Sequence, residues 1–265
     1  MTDDHDRGLA FDLATLGRRR MLALLGGAGL TVIAGCATPS TQGQATTTTT
    51  AATSGGTASA ACADPIPEET AGPYPGDGSN GPNVLTESGI VRSDIRSSFG
   101  ASTNTAKGVP LTIELTIVEN CVPATGAAVY LWHCDIDGKY SMYSQGVTNE
   151  NYLRGVQETD AQGKVRFTSV FPAAYSGRWP HIHFEIYPSL AEATKAGEPT
   201  TTTQLALPED ICDKVYASDG YSQSLRNMER SSLDSDMVFR DGHDSQLATV
   251  TGDLSGYTAS LTVGI

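Results

Sequence analysis

Leu111-Thr-Ile-Glu-Leu-Thr-Ile-Val118 sets apolar residues at 111, 113, 115 and 117, with Thr112, Glu114 and Thr116 between them. An extended chain sends successive side chains to opposite faces of a sheet, so this stretch reads as a strand with one buried face. The same pattern recurs on either side of it. Ala128 to Trp132 is a second apolar run, entered through the turn residues Pro123-Ala-Thr-Gly126. Lys164 to Val170 follows the turn Asp160-Ala-Gln-Gly163, His181 to Tyr187 alternates again, and Tyr257 to Val263 closes the chain. The best helix candidate, Ser222 to Arg230, is short. Many short strands separated by Gly and Pro turns argue for a sandwich or barrel. Residues 62–265 therefore read as one all-β domain, a β-sandwich with few short helices.

Toward the N-terminus the pattern changes. Gly17-Arg18-Arg19-Arg20-Met21-Leu22 resembles a twin-arginine export signal, and the apolar stretch Leu22 to Ala34 after it is too short to cross a bilayer comfortably. It ends in Ile33-Ala34-Gly35-Cys36, small residues before a Cys, which resembles a bacterial lipobox with Cys36 as the lipidated residue. Residues 1–35 are read as a twin-arginine lipoprotein signal peptide. Residues 36–61 are rich in Thr, Ser, Ala and Gly and lack the apolar surface needed to fold. They read as a disordered tether from the lipid to the domain. The expected location is outside the cytoplasm, on a membrane through that anchor.

The formal net charge is −13, and within the first 35 residues the four Asp and four Arg cancel, so the domain keeps the acidic surplus. An acidic surface repels phosphate backbones, which excludes nucleic acid as a partner. Beyond Cys36 four cysteines remain, Cys62, Cys121, Cys134 and Cys212. An even number in an exported domain predicts two disulfides, with three pairings open. Cys134, between His133 and Asp135, also has a second reading as a ligand. Two motif-like stretches carry nothing. Gly76-Asp-Gly-Ser-Asn-Gly81 has no strand before it or helix after it, so it is no dinucleotide loop. Asp135-Ile-Asp-Gly138 lacks the acid that a calcium loop needs at its twelfth position, where Gly146 stands.

Chemistry concentrates in Arg178-Trp-Pro-His-Ile-His-Phe-Glu-Ile186. On a strand, Ile182, Phe184 and Ile186 share the core face, and His181, His183 and Glu185 share the other. Two imidazoles at i and i+2 are able to chelate one metal. Tyr140, past the strand that ends at Trp132, and Tyr175, six residues before His181, offer phenols. A phenolate is a hard anionic donor, and with two imidazoles it suits a ferric ion.

Tyr140 in Gly-Lys-Tyr, Tyr175 after Phe-Pro, and His181-Ile-His183 in Gly-Arg-Trp-Pro-His-Ile-His-Phe resemble the intradiol ring-cleavage dioxygenases, the catechol and protocatechuate dioxygenase family. The resemblance extends over Glu69-Thr-Ala-Gly-Pro-Tyr-Pro75, Leu131-Trp-His-Cys-Asp135, Thr203-Gln-Leu205, Val215-Tyr216 and Leu254-Ser-Gly-Tyr257, from about residue 66 to the end of the chain. It implies a β-sandwich holding one Fe(III) through Tyr140, Tyr175, His181 and His183. It further implies a catechol-type substrate bound as a dianion, with Tyr175 released to take a proton. O2 is inserted between the two hydroxylated carbons to give a cis,cis-muconate-type product. Arg178 matches the family's active-site arginine and Gln204 a glutamine lining the pocket. Tyr74 is expected near the pocket mouth, and His133 is expected to be a structural neighbour. The helical dimerisation region of cytoplasmic relatives is replaced here by the signal and tether, and Ala206 stands where an aromatic is common, which widens the expected pocket. A lipoprotein that binds iron or catecholates without turnover, and a copper or zinc site on His181 and His183, are the competing readings.

Overall fold

The computed structural model describes residues 62–265. The signal, tether and Cys36 lipidation readings lie outside the described residues. The elements run β1 (Pro110–Glu119), β2 (Val122–Pro123), β3 (Ala128–Trp132), β4 (Arg154–Glu158), β5 (Lys164–Val170) and β6 (His181–Tyr187), followed by α1 (Leu190–Ala193), β7 (Thr201–Ala206), α2 (Glu209–Tyr216), α3 (Ser222–Met228), β8 (Thr249–Asp253) and β9 (Gly256–Gly264). They form two sheets. One has the order β2-β1-β9-β8 with β5 also paired to β1, and the other is β4-β3-β6-β7.

The alternating residues explain how the sheets meet. Leu111, Ile113, Leu115 and Ile117 of β1 join Val129 and Leu131 of β3 and Ile182, Phe184 and Ile186 of β6 in one core between the sheets. The other face of the β3–β6 pair is covered as well. Ala128, Tyr130, Trp132 and Tyr187 pack against Val84, Leu85 and Ile90 from the segment before β1 and against Ala193 of α1. The second sheet is therefore covered on both faces, and every residue of β3, β6 and β7 is buried. Polar groups on its covered face must find partners inside the protein.

The cysteines depart from expectation. Cys62 and Cys121 form a disulfide with their Cα atoms 4.4 Å apart, but Cys134 and Cys212 are free and buried. These two cysteines sit in different hydrophobic clusters, Cys134 on the covered face and Cys212 in the inter-sheet core, so they do not meet.

Candidate metal centre

The register of β6 sets up the centre. His183 lies opposite Trp132 of β3 and opposite Gln204 of β7. The imidazole of His183 stacks on the indole of Trp132 with ring centroids 5.0 Å apart and 7° between planes, which fixes its orientation. His181 directs Nδ1 to the Trp179 carbonyl oxygen at 2.5 Å. That contact puts the proton on Nδ1 and leaves a lone pair on Nε2.

The two phenols arrive on neighbouring loops. Asp135, just past β3, accepts from the backbone N–H groups of Asp137 and Lys139 at 2.9 Å each on Oδ1, and from the Tyr152 hydroxyl at 2.9 Å on Oδ2. This tight turn delivers Tyr140. The Asp135 carbonyl also accepts from Ala173 N–H at 3.2 Å, which ties the loop carrying Tyr175 to the same turn. Gly138 sits at φ +77, and a Cβ there would stand 3.0 Å from the Tyr175 Cβ, so only glycine lets the two loops pack so closely.

Four donor atoms converge. His181 Nε2 lies 3.1 Å from His183 Nε2, 3.3 Å from the Tyr140 hydroxyl and 3.2 Å from the Tyr175 hydroxyl, and the two hydroxyls are 3.5 Å apart. Ligands about 2 Å from a shared metal at tetrahedral-like angles stand roughly 3.3 Å from one another. The spacing fits a single ion. His183 Nδ1 is buried without a hydrogen-bond partner. Among the described residues no group of three or more His, Cys, Asp or Glu is arranged to hold a metal. The donors gathered at this point are two phenol oxygens and two imidazole nitrogens.

The electrostatics agree with that donor set. Burial, and then the Arg178 cation, hold His181 well below the ordinary imidazole range; for His183 burial is followed by His181 and Arg178. Both imidazoles stay neutral, as metal ligands must. Burial pushes the Tyr140 phenol well above its usual value, Tyr175 adds to the rise, and Arg178 opposes it. Only a nearby cation of high charge makes such a phenol an anion.

Arg178 is buried, with Nε donating to Asp236 Oδ2 at 2.9 Å and Nη2 to Gln204 Oε1 at 2.7 Å. Gln204 in turn donates from Nε2 to the Thr70 carbonyl at 2.9 Å. The Arg178–Asp236 ion pair is buried, with both side chains almost fully enclosed. Tyr74 is half-buried, its ring 4.9 Å from that of Tyr140 and 5.3 Å from that of Tyr143. His133 bonds to the Cys134 carbonyl and to Ser169 Oγ at 2.7 Å each, a structural pairing. Cys134 directs Sγ to the Ala173 carbonyl at 3.6 Å.

Asp236 was missed in the sequence. Its carboxylate also accepts from Trp179 N–H at 2.6 Å and caps Val238 N–H at 2.8 Å, so it braces the strand that carries both histidines. It is one of two acids in Ser231-Ser-Leu-Asp-Ser-Asp236, with no local pattern to single it out. Glu69 was missed too. It is half-buried, and burial and the Asp241 charge raise its carboxyl to about 7.

A family model described as "Dioxygenase" matches residues 81–239. A chlorocatechol 1,2-dioxygenase of Pseudomonas sp. (strain P51) is 37% identical over 96 residues, which are 29% of this chain and 38% of that protein. A chlorocatechol 1,2-dioxygenase of Rhodococcus opacus is 36% identical over 53 residues, 20% of this chain and 21% of that protein. The matched stretches thus span well under half the length of these curated relatives. Among solved structures, an intradiol ring-cleavage dioxygenase from Tetranychus urticae superposes with a TM-score of 0.56 at 26% identity, covering 68% of this chain and 88% of that one. With the family match spanning more than half of its residues, the chain belongs to the intradiol ring-cleavage dioxygenase family.

Proposed function

We propose that this protein cleaves catechol-type aromatic diols with O2, between the two hydroxylated carbons, at an Fe(III) held by Tyr140, Tyr175, His181 and His183. The observation that carries the reading is the convergence of two phenol oxygens and two imidazole nitrogens at 3.1–3.5 Å. Bound there, the iron would act as Lewis acid and as template for the diol and O2.

The chain's own residues have distinct tasks. His181 and His183 present neutral lone pairs whose directions are fixed by the Trp179 carbonyl and the Trp132 ring. Tyr140 is enclosed, whereas Tyr175 is part-exposed and followed by the exposed Ser176 and Gly177. Tyr175 Oη therefore has room to withdraw and to accept a proton from the incoming diol. Arg178, locked by Asp236 and Gln204, holds a fixed positive charge beside the donors and stabilises negative charge on the ring. Gln204 and Tyr74 line the space the diol would enter.

The tether-free domain, loaded with iron, is expected to consume one O2 per catechol and to release the ring-opened diacid. Bound iron with no O2 uptake across a broad panel of catechols would leave a binding protein and overturn the proposal. Export and lipid anchoring at Cys36 belong to the same proposal. The Cys62–Cys121 disulfide is in keeping with an oxidising compartment. Loss of lipid labelling in Cys36→Ser tests the anchor.

A further inference from the structure

Arg154 is 1% exposed, yet none of its five hydrogen bonds goes to a carboxylate. Buried charges are ordinarily paired, so its surroundings need a reason. All five N–H groups are used, each by a neutral oxygen. Nε donates to Ser141 Oγ at 3.1 Å, Nη1 to the Pro75 carbonyl at 2.8 Å and to the Tyr130 hydroxyl at 3.0 Å, and Nη2 to the Tyr74 carbonyl at 2.9 Å and the Ser141 carbonyl at 3.0 Å. The fork thus joins residues 74–75 to Ser141, the residue next to Tyr140.

Residues 73–84 form a closed strap. Gly78 N–H donates to the Pro82 carbonyl at 3.1 Å, and Val84 N–H to the Gly76 carbonyl at 2.7 Å. Asn80 Nδ2 donates back to the Pro73 carbonyl at 2.7 Å. The strap is fastened a second time by Tyr143, whose hydroxyl accepts from Gly76 N–H at 2.8 Å and donates to the Asn80 carbonyl at 2.9 Å. The Arg154 guanidinium lies 5.5 Å from the centre of the Tyr143 ring. Gly76 is at φ +70, and a Cβ there would fall 2.7 Å from Arg154 Nη1, so the strap lies directly on the guanidinium. From the strap, Tyr74 reaches the donor cluster, its ring 4.9 Å from that of Tyr140.

We propose that Arg154 is a specificity-determining positioning residue: by pinning the strap to the Tyr140 loop it fixes Tyr74 as a rigid wall that limits which ring substituents the centre accepts. The inference rests on the diol-binding reading above. It adds that the limit is set by a guanidinium that touches neither donor atoms nor diol. A lysine keeps the charge but has no planar fork, so it cannot bridge Tyr74, Pro75 and Ser141 together.

The test uses the full chain. Hydrogen exchange is measured on metal-free protein, and dissociation constants for catechol and 4-tert-butylcatechol are measured calorimetrically under argon on iron-loaded protein. No turnover is required, so absent O2 uptake would sink the proposed activity without touching this result. In Arg154→Lys, faster exchange is expected in residues 72–84 alone, and the preference for catechol over the bulky diol is expected to shrink about 10-fold, the scale of a lost steric wall. Tyr74→Ala should give the same shrinkage with strap exchange unchanged, because the clamp grips main-chain oxygens. Gly76→Ala, which wedges the clamp from the other side, should match Arg154→Lys in both readouts. Exchange that rises throughout the domain in Arg154→Lys, or a preference unchanged while the strap loosens, would overturn the proposal. So would a wild type that shows no preference.

Discussion

Asp236 and Arg178 illustrate how single residues hold the centre together. Both are almost fully enclosed, so their attraction is offset by the cost of removing two charges from water. What the pair provides is a fixed position for the Arg178 cation and for Trp179, and through Trp179 for the His181 tautomer. Asp236→Ala would break this buried ion pair by removing one partner, so a loss of about 3–5 kcal/mol is expected, read from the denaturant midpoint. A cost under about 1 kcal/mol would place the pair in solvent and contradict the buried geometry. The four donors also differ in role. His183→Ala is expected to abolish stoichiometric iron binding, measured by metal analysis of the folded variant, whereas Tyr175→Phe is expected to keep iron but lose most turnover. At this scale Tyr140, Tyr175, His181, His183, Arg178 and Gln204 were legible because each sits in a short motif with a chemical signature. Asp236, Arg154 and Glu69 were not, because each has a partner far along the chain: Trp179 is 57 residues from Asp236, Pro75 is 79 from Arg154 and Gln246 is 177 from Glu69.

β6 carries the element-scale argument. Its core face reads from alternation alone, with Ile182, Phe184 and Ile186 between the sheets. Phe184→Ala is expected to destabilise the domain by about 3–5 kcal/mol, seen as a lower thermal midpoint. The extents of β3, β5 and β6 match their sequence patterns, and β1 and β9 extend theirs by a residue or two. β7 was not foreseen, because Thr201-Thr-Thr-Gln-Leu-Ala206 is buried on both faces and shows no alternation. β4 offers one large apolar residue, Val156, and takes its place through pairing with β3. α3 starts with the expected short helix at Ser222 but ends at Met228, short of Arg230, whereas α1 and α2 are one- and two-turn pieces with too little periodicity to read. The expectation of two disulfides failed because cysteine number carries no information on which cluster each thiol enters. Loss of the Cys62–Cys121 bridge by Cys62→Ser and Cys121→Ser together should cost about 2–4 kcal/mol, since it joins residues 59 apart.

For the whole molecule, buried titratable groups set how stability varies with pH. His133 is held at about 4 by burial, against 6.5 for an exposed imidazole. Between those values the unfolded chain binds a proton that the folded chain refuses, so this contribution is complete above pH 6.5 and is lost as pH falls toward 4. A shift of that size corresponds to about 3 kcal/mol. Glu69 has the opposite sign. Its folded carboxyl, raised to about 7, binds a proton that the unfolded chain releases above 4.5, so its contribution is lost as pH rises toward 7. Metal-free His133→Asn is therefore expected to show a shallower acid limb than wild type in pH-dependent denaturation, and Glu69→Gln a flatter slope toward neutral pH. An acid limb unchanged in His133→Asn would mean that His133 is protonated in the folded state.

The claim on which the account depends is that two phenols and two imidazoles hold one ferric ion that the diol binds directly. The most direct measurement is the visible spectrum of the purified, iron-loaded domain, with metal analysis, before and after catechol is added under argon. The account predicts one iron per chain and a phenolate-to-iron charge-transfer band that shifts when catechol binds. A colourless protein, or one that takes up copper or zinc but no iron, would mean that Tyr140 and Tyr175 are not ligands and would contradict it.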